Sequence, residues 1–196
     1  MNELLAKHDF TAEEIDEFFS HALVIKCPKK TILQREGDVP HFFYWATKGI
    51  FRGGFTDKKG TEYTRAFFTP TTIPFVMSYS SFIMQLPALS FLEAIEDGEL
   101  LSWHFDYVKN LEETNIKWLK FFKKQVDLVF LFRDIKERQY YTLTPKEQYL
   151  VFLESASEFA YRIPQHYIAS YIGITPEALS RIRRQLKTDN RLKSKD

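Results

Sequence analysis

The stretch Ile163-Pro164-Gln165-His166-Tyr167-Ile168-Ala169-Ser170-Tyr171-Ile172-Gly173-Ile174-Thr175-Pro176-Glu177-Ala178-Leu179-Ser180-Arg181-Ile182-Arg183-Arg184-Gln185-Leu186 decides how the C-terminal part folds. Pro164 starts a short helix with Ile168, Ala169 and Ile172 on its inner face, and the small Ala169 lets a second helix come close. Gly173 is the tight-turn residue. Thr175 is placed to cap the second helix, with Pro176 at its first position, where the missing N–H costs nothing. Leu179, Ile182 and Leu186 form an inward stripe, while Glu177, Ser180, Arg181 and Arg184 face outward. Two short helices, a Gly turn and a basic outer face are helix-turn-helix grammar. An ordinary αα-hairpin shares the Ala-x-x-x-Gly spacing; the capped second helix and its outward arginines favour binding of double-stranded DNA. Glu177, Ser180 and Arg181 are then the candidates for base edges. Arg184 and Lys187, with Arg191 and Lys193 beyond, are the candidates for phosphates.

Charge agrees with that reading. The 196 residues carry a net charge of only +1. From Arg181 to the end, however, seven basic residues stand against two acidic ones. A basic end on a near-neutral chain is a nucleic-acid footprint, although a solvated tail has the same composition.

Upstream, Phe105 to Lys136 contains neither Gly nor Pro and reads as one long helix. Leu111, Trp118, Phe122, Val129 and Phe132 fall near one stripe, with Asn115 and Gln125 completing it; Leu119, Val126 and Phe130 form a second. An apolar surface that wide needs more than one partner. A second copy of the chain is the simplest, so the protein is expected to be a homodimer. Thr144-Pro145-Lys146-Glu147 opens a further helix with a capping box, and Thr11 with Glu14 opens a short one near the N-terminus.

Between them, about Leu23 to Ser102 is rich in short β-prone runs. Leu23-Val24-Ile25, Thr31-Ile32-Leu33 and Phe42-Phe43-Tyr44-Trp45 read as strands, with a turn at Glu36-Gly37-Asp38. Ile50 to Phe55 and Glu62 to Phe68 make a hairpin around Asp57 to Thr61. Pro87 to Ile95 and Glu99 to His104 close the set, and Phe75 to Gln85 is a short helix or loop. Short strands with frequent turn signals predict a sandwich or jelly-roll. The fold class is therefore α+β. The jelly-roll sensor is assigned to 1–106, a dimerisation helix to 107–137 and an all-α helix-turn-helix domain to 138–196.

Composition removes other classes. With 44% hydrophobic and 16% aromatic residues the chain can bury a core. The single cysteine, Cys27, can make no internal disulfide, which points to a reducing compartment. No signal segment and no membrane-spanning run is visible, so a cytoplasmic protein with no membrane partner is expected. The five histidines show no metal-ligand spacing, although His41 and His104 could meet across the barrel. A cupin-like metal enzyme, the alternative on a jelly-roll, needs a His-x-His pair that the sequence lacks.

The chain resembles the Crp/Fnr family of bacterial transcription regulators over nearly its whole length. Lys30-Thr31-Ile32-Leu33-Gln34-Arg35-Glu36-Gly37-Asp38 is similar to the family's first barrel turn, and Gly49 and Gly60 fall where that barrel turns. The resemblance implies a cyclic-nucleotide-binding-like jelly-roll, a long dimerisation helix and a helix-turn-helix. It makes RNA polymerase a candidate partner. Glu177 and Arg181 match the last two members of the family's Arg-Glu…Arg recognition pattern, with Pro176 in place of the first. The family's phosphate cassette corresponds to Ile73 to Ser90, which contains no Gly, Glu or Arg. A cyclic phosphate would find neither guanidinium nor carboxylate there, so a response to cyclic AMP is not expected. Iron–sulfur members use a cysteine cluster, which Cys27 alone cannot supply, and no cofactor is expected. The chain stops ten residues after Leu186, like the short members without a β-hairpin wing. Tyr44, Arg52, Phe75, Met77 and Tyr79, with Trp45, are the candidate lining of a pocket for an effector of unknown identity. A Met-and-aromatic cluster is more often plain core.

Overall fold

The computed structural model describes Leu5 and residues 8–193, with side chains to residue 188. Among the described residues seven strands are formed: β1 (Leu23–Cys27), β2 (Ile32–Gln34), β3 (Phe42–Lys48), β4 (Phe51–Thr56), β5 (Glu62–Phe68), β6 (Phe91–Ala94) and β7 (Gly98–His104). They build a three-stranded sheet ordered β1-β7-β3 and a four-stranded sheet ordered β2-β6-β4-β5. This is the jelly-roll expected from the turn spacing. Gly37, Gly49 and Gly60 all have positive φ. At Gly49 a Cβ would also meet the Gly98 backbone at 2.6 Å, so both φ and space demand glycine.

The helices are α1 (Ala12–Ser20), α2 (Tyr79–Met84), α3 (Phe105–Thr114), α4 (Ile116–Thr142), α5 (Pro145–Ser155), α6 (Gln165–Ile172) and α7 (Pro176–Lys193). The expected capping boxes form. Thr11 and Glu14 cap α1, and Thr144 and Glu147 cap α5, each pair exchanging hydrogen bonds with the other's backbone N–H. A short 3₁₀ turn, Ala160–Arg162, links α5 to α6.

The long helix differs from expectation. It breaks at Asn115, which is extended at φ −134°, ψ 110°. Its Oδ1 accepts the Lys117 N–H at 2.9 Å and so starts a new helix. The second segment continues to Thr142, beyond Lys136. The apolar stripe divides as well. Trp118 and Phe122 are buried and Val129 is half-buried, while Phe132 is 50% exposed.

Contacts divide the chain into two compact units, 1–55 with 66–132 and 56–65 with 133–196. The first has its core on both faces of β7, because successive strand residues point to opposite sides. Leu100 packs with Cys27, Ala46, Phe51, Val76, Leu92 and Ala94. Trp103 packs on the other face among Phe18, Phe43, Phe82, Trp118 and Phe122. It stacks on Phe18 at 4.4 Å and donates its indole N–H to the Phe18 carbonyl at 2.8 Å. Lys117 pairs with Glu14 at 2.9 Å, fastening the start of α4 to α1. In the second unit, α6 packs on α5 and on α7, and Ser170 of α6 hydrogen-bonds to Glu62 and Thr64 of β5. Among the described residues no helix is long and apolar enough to cross a membrane.

Candidate nucleic-acid interface

The turn between α6 and α7 is built as its residues require. Gly173 takes φ +83°, and its N–H reaches back to the Ala169 carbonyl at 3.0 Å, ending α6 in a left-handed cap. Two residues later Thr175 Oγ1 accepts the Ala178 N–H at 3.2 Å and starts α7. Ala169 is fully buried, and Ile168, Ile172 and Leu179 are buried with it.

On α7, Glu177, Ser180, Arg181, Arg184 and Lys187 are all exposed. At 3.6 residues per turn they occupy roughly one third of the helix circumference. Leu179, Ile182 and Leu186 lie on the opposite side, buried or half-buried. All five expected side chains therefore share one free face. The side chains of Arg191 and Lys193 lie outside the described residues. Glu177 sits in the first turn. Its own backbone N–H, the Thr175 hydroxyl and then Arg181 hold its carboxyl below the usual carboxylate range, which keeps it an acceptor. An acceptor with an arginine one turn on is suited to a cytosine N4 and a guanine O6/N7. On the other side of α7, Tyr149, Leu153, Tyr161, Ile163, Leu179 and Arg183 line a cleft of about 270 Å³.

The candidate effector residues are distributed differently. Phe75 and Met77 pack into the aromatic cluster around Trp103, and Phe75 bridges Trp45. Tyr44 packs against the other cluster, where burial, with Cys27 adding, pushes its phenol up. Tyr79, half-buried at the start of α2, is also pushed up by burial. Arg52 is 2% exposed, pairs with Glu93 and lies over the Phe91 ring. In the stretch corresponding to the phosphate cassette, Ser78 and Ser90 hydroxyls meet at 2.6 Å and Gln34 donates to Ser78 at 2.7 Å, a buried network. The rings of His41 and His104 do meet, parallel and 6.4 Å apart. Among the described residues no three His, Cys, Asp or Glu stand close enough to hold a metal ion.

Sequence reading missed one group in this unit. Ser170 Oγ accepts the Thr64 N–H at 2.9 Å and donates to the Glu62 carbonyl at 3.3 Å. Lys136 Nζ donates to the Arg65 and Tyr171 carbonyls at 3.2 and 3.3 Å. These contacts join residues up to 108 positions apart, and no local pattern marks them.

Solved structures share this arrangement of jelly-roll, helix and helix-turn-helix. The c-di-GMP-responsive global regulator CLP of Xanthomonas campestris matches with a TM-score of 0.74 at 18% identity, over 92% of this chain and 93% of its own. FixK2 of Bradyrhizobium japonicum matches with 0.77 at 16% identity, over 86% of each chain. The chain has the Crp/Fnr fold. A regulator described as CRP/FNR family from Thermus thermophilus matches with a TM-score of 0.69 at 15% identity, over 85% of this chain and 87% of its own. No protein-family model matches the sequence, and no curated protein does. At these identities the likeness is one of Crp/Fnr architecture.

Proposed function

We propose that the chain is a transcription regulator of Crp/Fnr type that binds double-stranded DNA as a homodimer in the cytoplasm, with RNA polymerase as a further partner and no catalytic role. The observation that carries this reading is the exposed stripe of Glu177, Ser180, Arg181, Arg184 and Lys187 on α7, held rigid from behind by the Gly173 turn and the Thr175 cap. Residues 1–106 act as the sensor, 107–137 as the dimerisation segment and 138–196 as the DNA-binding domain. A two-fold dimer would set its two α7 helices into successive major grooves about 34 Å apart, on a pseudo-palindromic site. Selection from a random duplex pool, followed by footprinting, tests this. The expected product is an inverted repeat with half-site centres one helical turn apart. Recovery of no enriched sequence would overturn the proposal.

Cyclic AMP is not the effector in this reading. Arg52 is engaged with Glu93, and hydroxyls and an amide occupy the cassette stretch. Tyr44, Arg52, Phe75, Met77 and Tyr79 remain the proposed surroundings of an effector of another kind. Calorimetry should show no micromolar binding of cyclic AMP; such binding would refute this part.

A further inference from the structure

The cleft behind α7 is built wholly from residues of the second unit. Its walls come from α5 (Tyr149, Leu153), from the 3₁₀ turn and the residue after it (Tyr161, Ile163) and from α7 (Leu179, Arg183). Helical period brings these side chains together. Tyr149 and Leu153 are four apart on one helix, and Leu179 and Arg183 are four apart on the other, so each pair stands on one side of its helix. Ile163 and Leu179 are buried and supply apolar surface, while Tyr161 is 81% exposed at the rim.

Two polar groups in this cleft are unsatisfied. Tyr149 is only 6% exposed, yet among the described residues nothing hydrogen-bonds its hydroxyl. That oxygen is not sealed in. Among the described residues the buried side-chain atom without a partner is Ser102 Oγ, which belongs to the first unit. The Tyr149 hydroxyl therefore opens onto the cleft that its side chain lines. Arg183 is half-buried and, among the described residues, has no carboxylate, carbonyl or ring partner. A guanidinium carries five N–H donors and no acceptor, and withdrawing it from water is unfavourable while those donors stay unmet. None of the residues lining the cleft is acidic.

We propose that this cleft binds a small organic acid with an apolar body. Its carboxylate faces Arg183 and the Tyr149 hydroxyl, and its body lies on Leu153, Ile163 and Leu179. Charge complementarity selects the carboxylate: Arg183 is the one cation of the lining, no acid opposes it, and a planar guanidinium matches two carboxylate oxygens. Size selects the body. The cleft of about 270 Å³ is just below the range usual for drug-sized ligands, about 300–1,000 Å³, so it admits a single ring or a short chain. Such a ligand ties α7 to α5. The site does not depend on α7 reading DNA; on that reading, the ligand grips α7 from the side opposite Glu177, Ser180 and Arg181.

The probe is hydrocinnamate, titrated into the full chain by calorimetry, with hydrocinnamyl alcohol as its uncharged counterpart. Saturable binding of the acid is expected, about tenfold or more tighter than that of the alcohol, the difference that a charge-assisted hydrogen bond carries. Arg183→Gln should remove that difference, so that acid and alcohol bind alike. Tyr149→Phe should weaken binding of the acid severalfold. Lys59→Gln, which removes an exposed charge in the hairpin turn, should change nothing. Leu153→Trp fills the cleft without altering either polar group and should abolish binding of both compounds. Circular dichroism checks the folding of each variant. Absence of saturable binding of the acid at millimolar concentration overturns the proposal. Equal binding of acid and alcohol to the native chain also overturns it, since the cleft is then merely apolar. So does equal weakening by Lys59→Gln, the mark of diffuse attraction, or binding retained in a folded Leu153→Trp chain, which puts the probe elsewhere. None of these measurements involves DNA, so their failure is distinct from failure of the DNA-binding reading.

Discussion

Lys136 Nζ lies 2.8 Å from the centroid of the Tyr171 ring, with the Tyr171 carbonyl and the Arg65 carbonyl as its hydrogen-bond acceptors. Arg65 from β5 is the charge acting on it, and Tyr171, pushed up by burial, stays neutral. The Lys136 ammonium titrates at about 7 in the folded chain, against a usual value of 10.5. Between those two values the unfolded chain binds more protons than the folded one, so this group makes stability rise with pH across the window. Below about 7 both states are protonated and the penalty is constant. Comparing urea denaturation of the native chain and Lys136→Met from pH 6.5 to 10 should show a difference in slope, about 1–3 kcal/mol in total. Parallel pH profiles for the two proteins would show that Lys136 is not shifted.

Ser170→Ala should loosen the hairpin from α6. It removes the acceptor of the Thr64 N–H, and Thr64 is 5% exposed. A buried donor left without a partner costs about 1–3 kcal/mol. Hydrogen exchange at the Thr64 amide should accelerate accordingly. Unchanged protection at that amide would mean that another acceptor or water replaces the hydroxyl.

On DNA, Arg181→Ala and Lys187→Ala should behave differently although both side chains are exposed on α7. Loss of a base-reading arginine should cost about 1–3 kcal/mol on the selected site and flatten preference at one base pair per half-site. Loss of a phosphate contact should weaken all duplexes alike and lower the salt slope by about one unit. Binding of both variants to selected and scrambled duplexes across a salt series separates these signatures. Equal losses of Arg181→Ala on both duplexes would remove its base-reading role.

The dimer should depend on Leu128, Leu131, Phe132 and Ile135. All four are 40–53% exposed, and their spacing places them on one side of α4. Replacing Leu128 and Leu131 with Glu should give a folded monomer by sedimentation, because two charges would enter a water-excluding seam. Phe122→Glu is a poorer test, since Phe122 is 7% exposed in the core of its own chain and its loss would unfold the first unit. A native chain that sediments as a monomer at micromolar concentration would refute the dimer.

Much of this architecture was legible locally. Thr11, Thr144 and Thr175 are caps because a hydroxyl next to a helical run satisfies free N–H groups wherever it occurs. Gly37, Gly49, Gly60 and Gly173 mark turns because only glycine takes positive φ without strain. The outward face of α7 follows from helical period alone. Asn115 was misread for a related reason. It lay at the right spacing to continue a stripe, and nothing local distinguishes a stripe member from a side chain that caps a new helix. The Arg52–Glu93 pair and the Ser170–Thr64 bond could not be read at all. Each joins strands or helices whose pairing register only the folded chain defines.

Trp45, Trp103 and Trp118 are the chain's three tryptophans, and all belong to the single aromatic cluster of the first unit. None is more than 5% exposed. The helix-turn-helix unit has tyrosines, among them Tyr149, Tyr161 and Tyr171, but no indole. Tryptophan emission is therefore a reporter for one half of the molecule. An unfolding curve recorded at that wavelength follows the jelly-roll and is blind to melting of residues 133–196. Far-ultraviolet circular dichroism, weighted by the helices, follows both units. If the two traces coincide, the units melt together; if the dichroism falls first, the DNA-reading half opens while its neighbour is still intact.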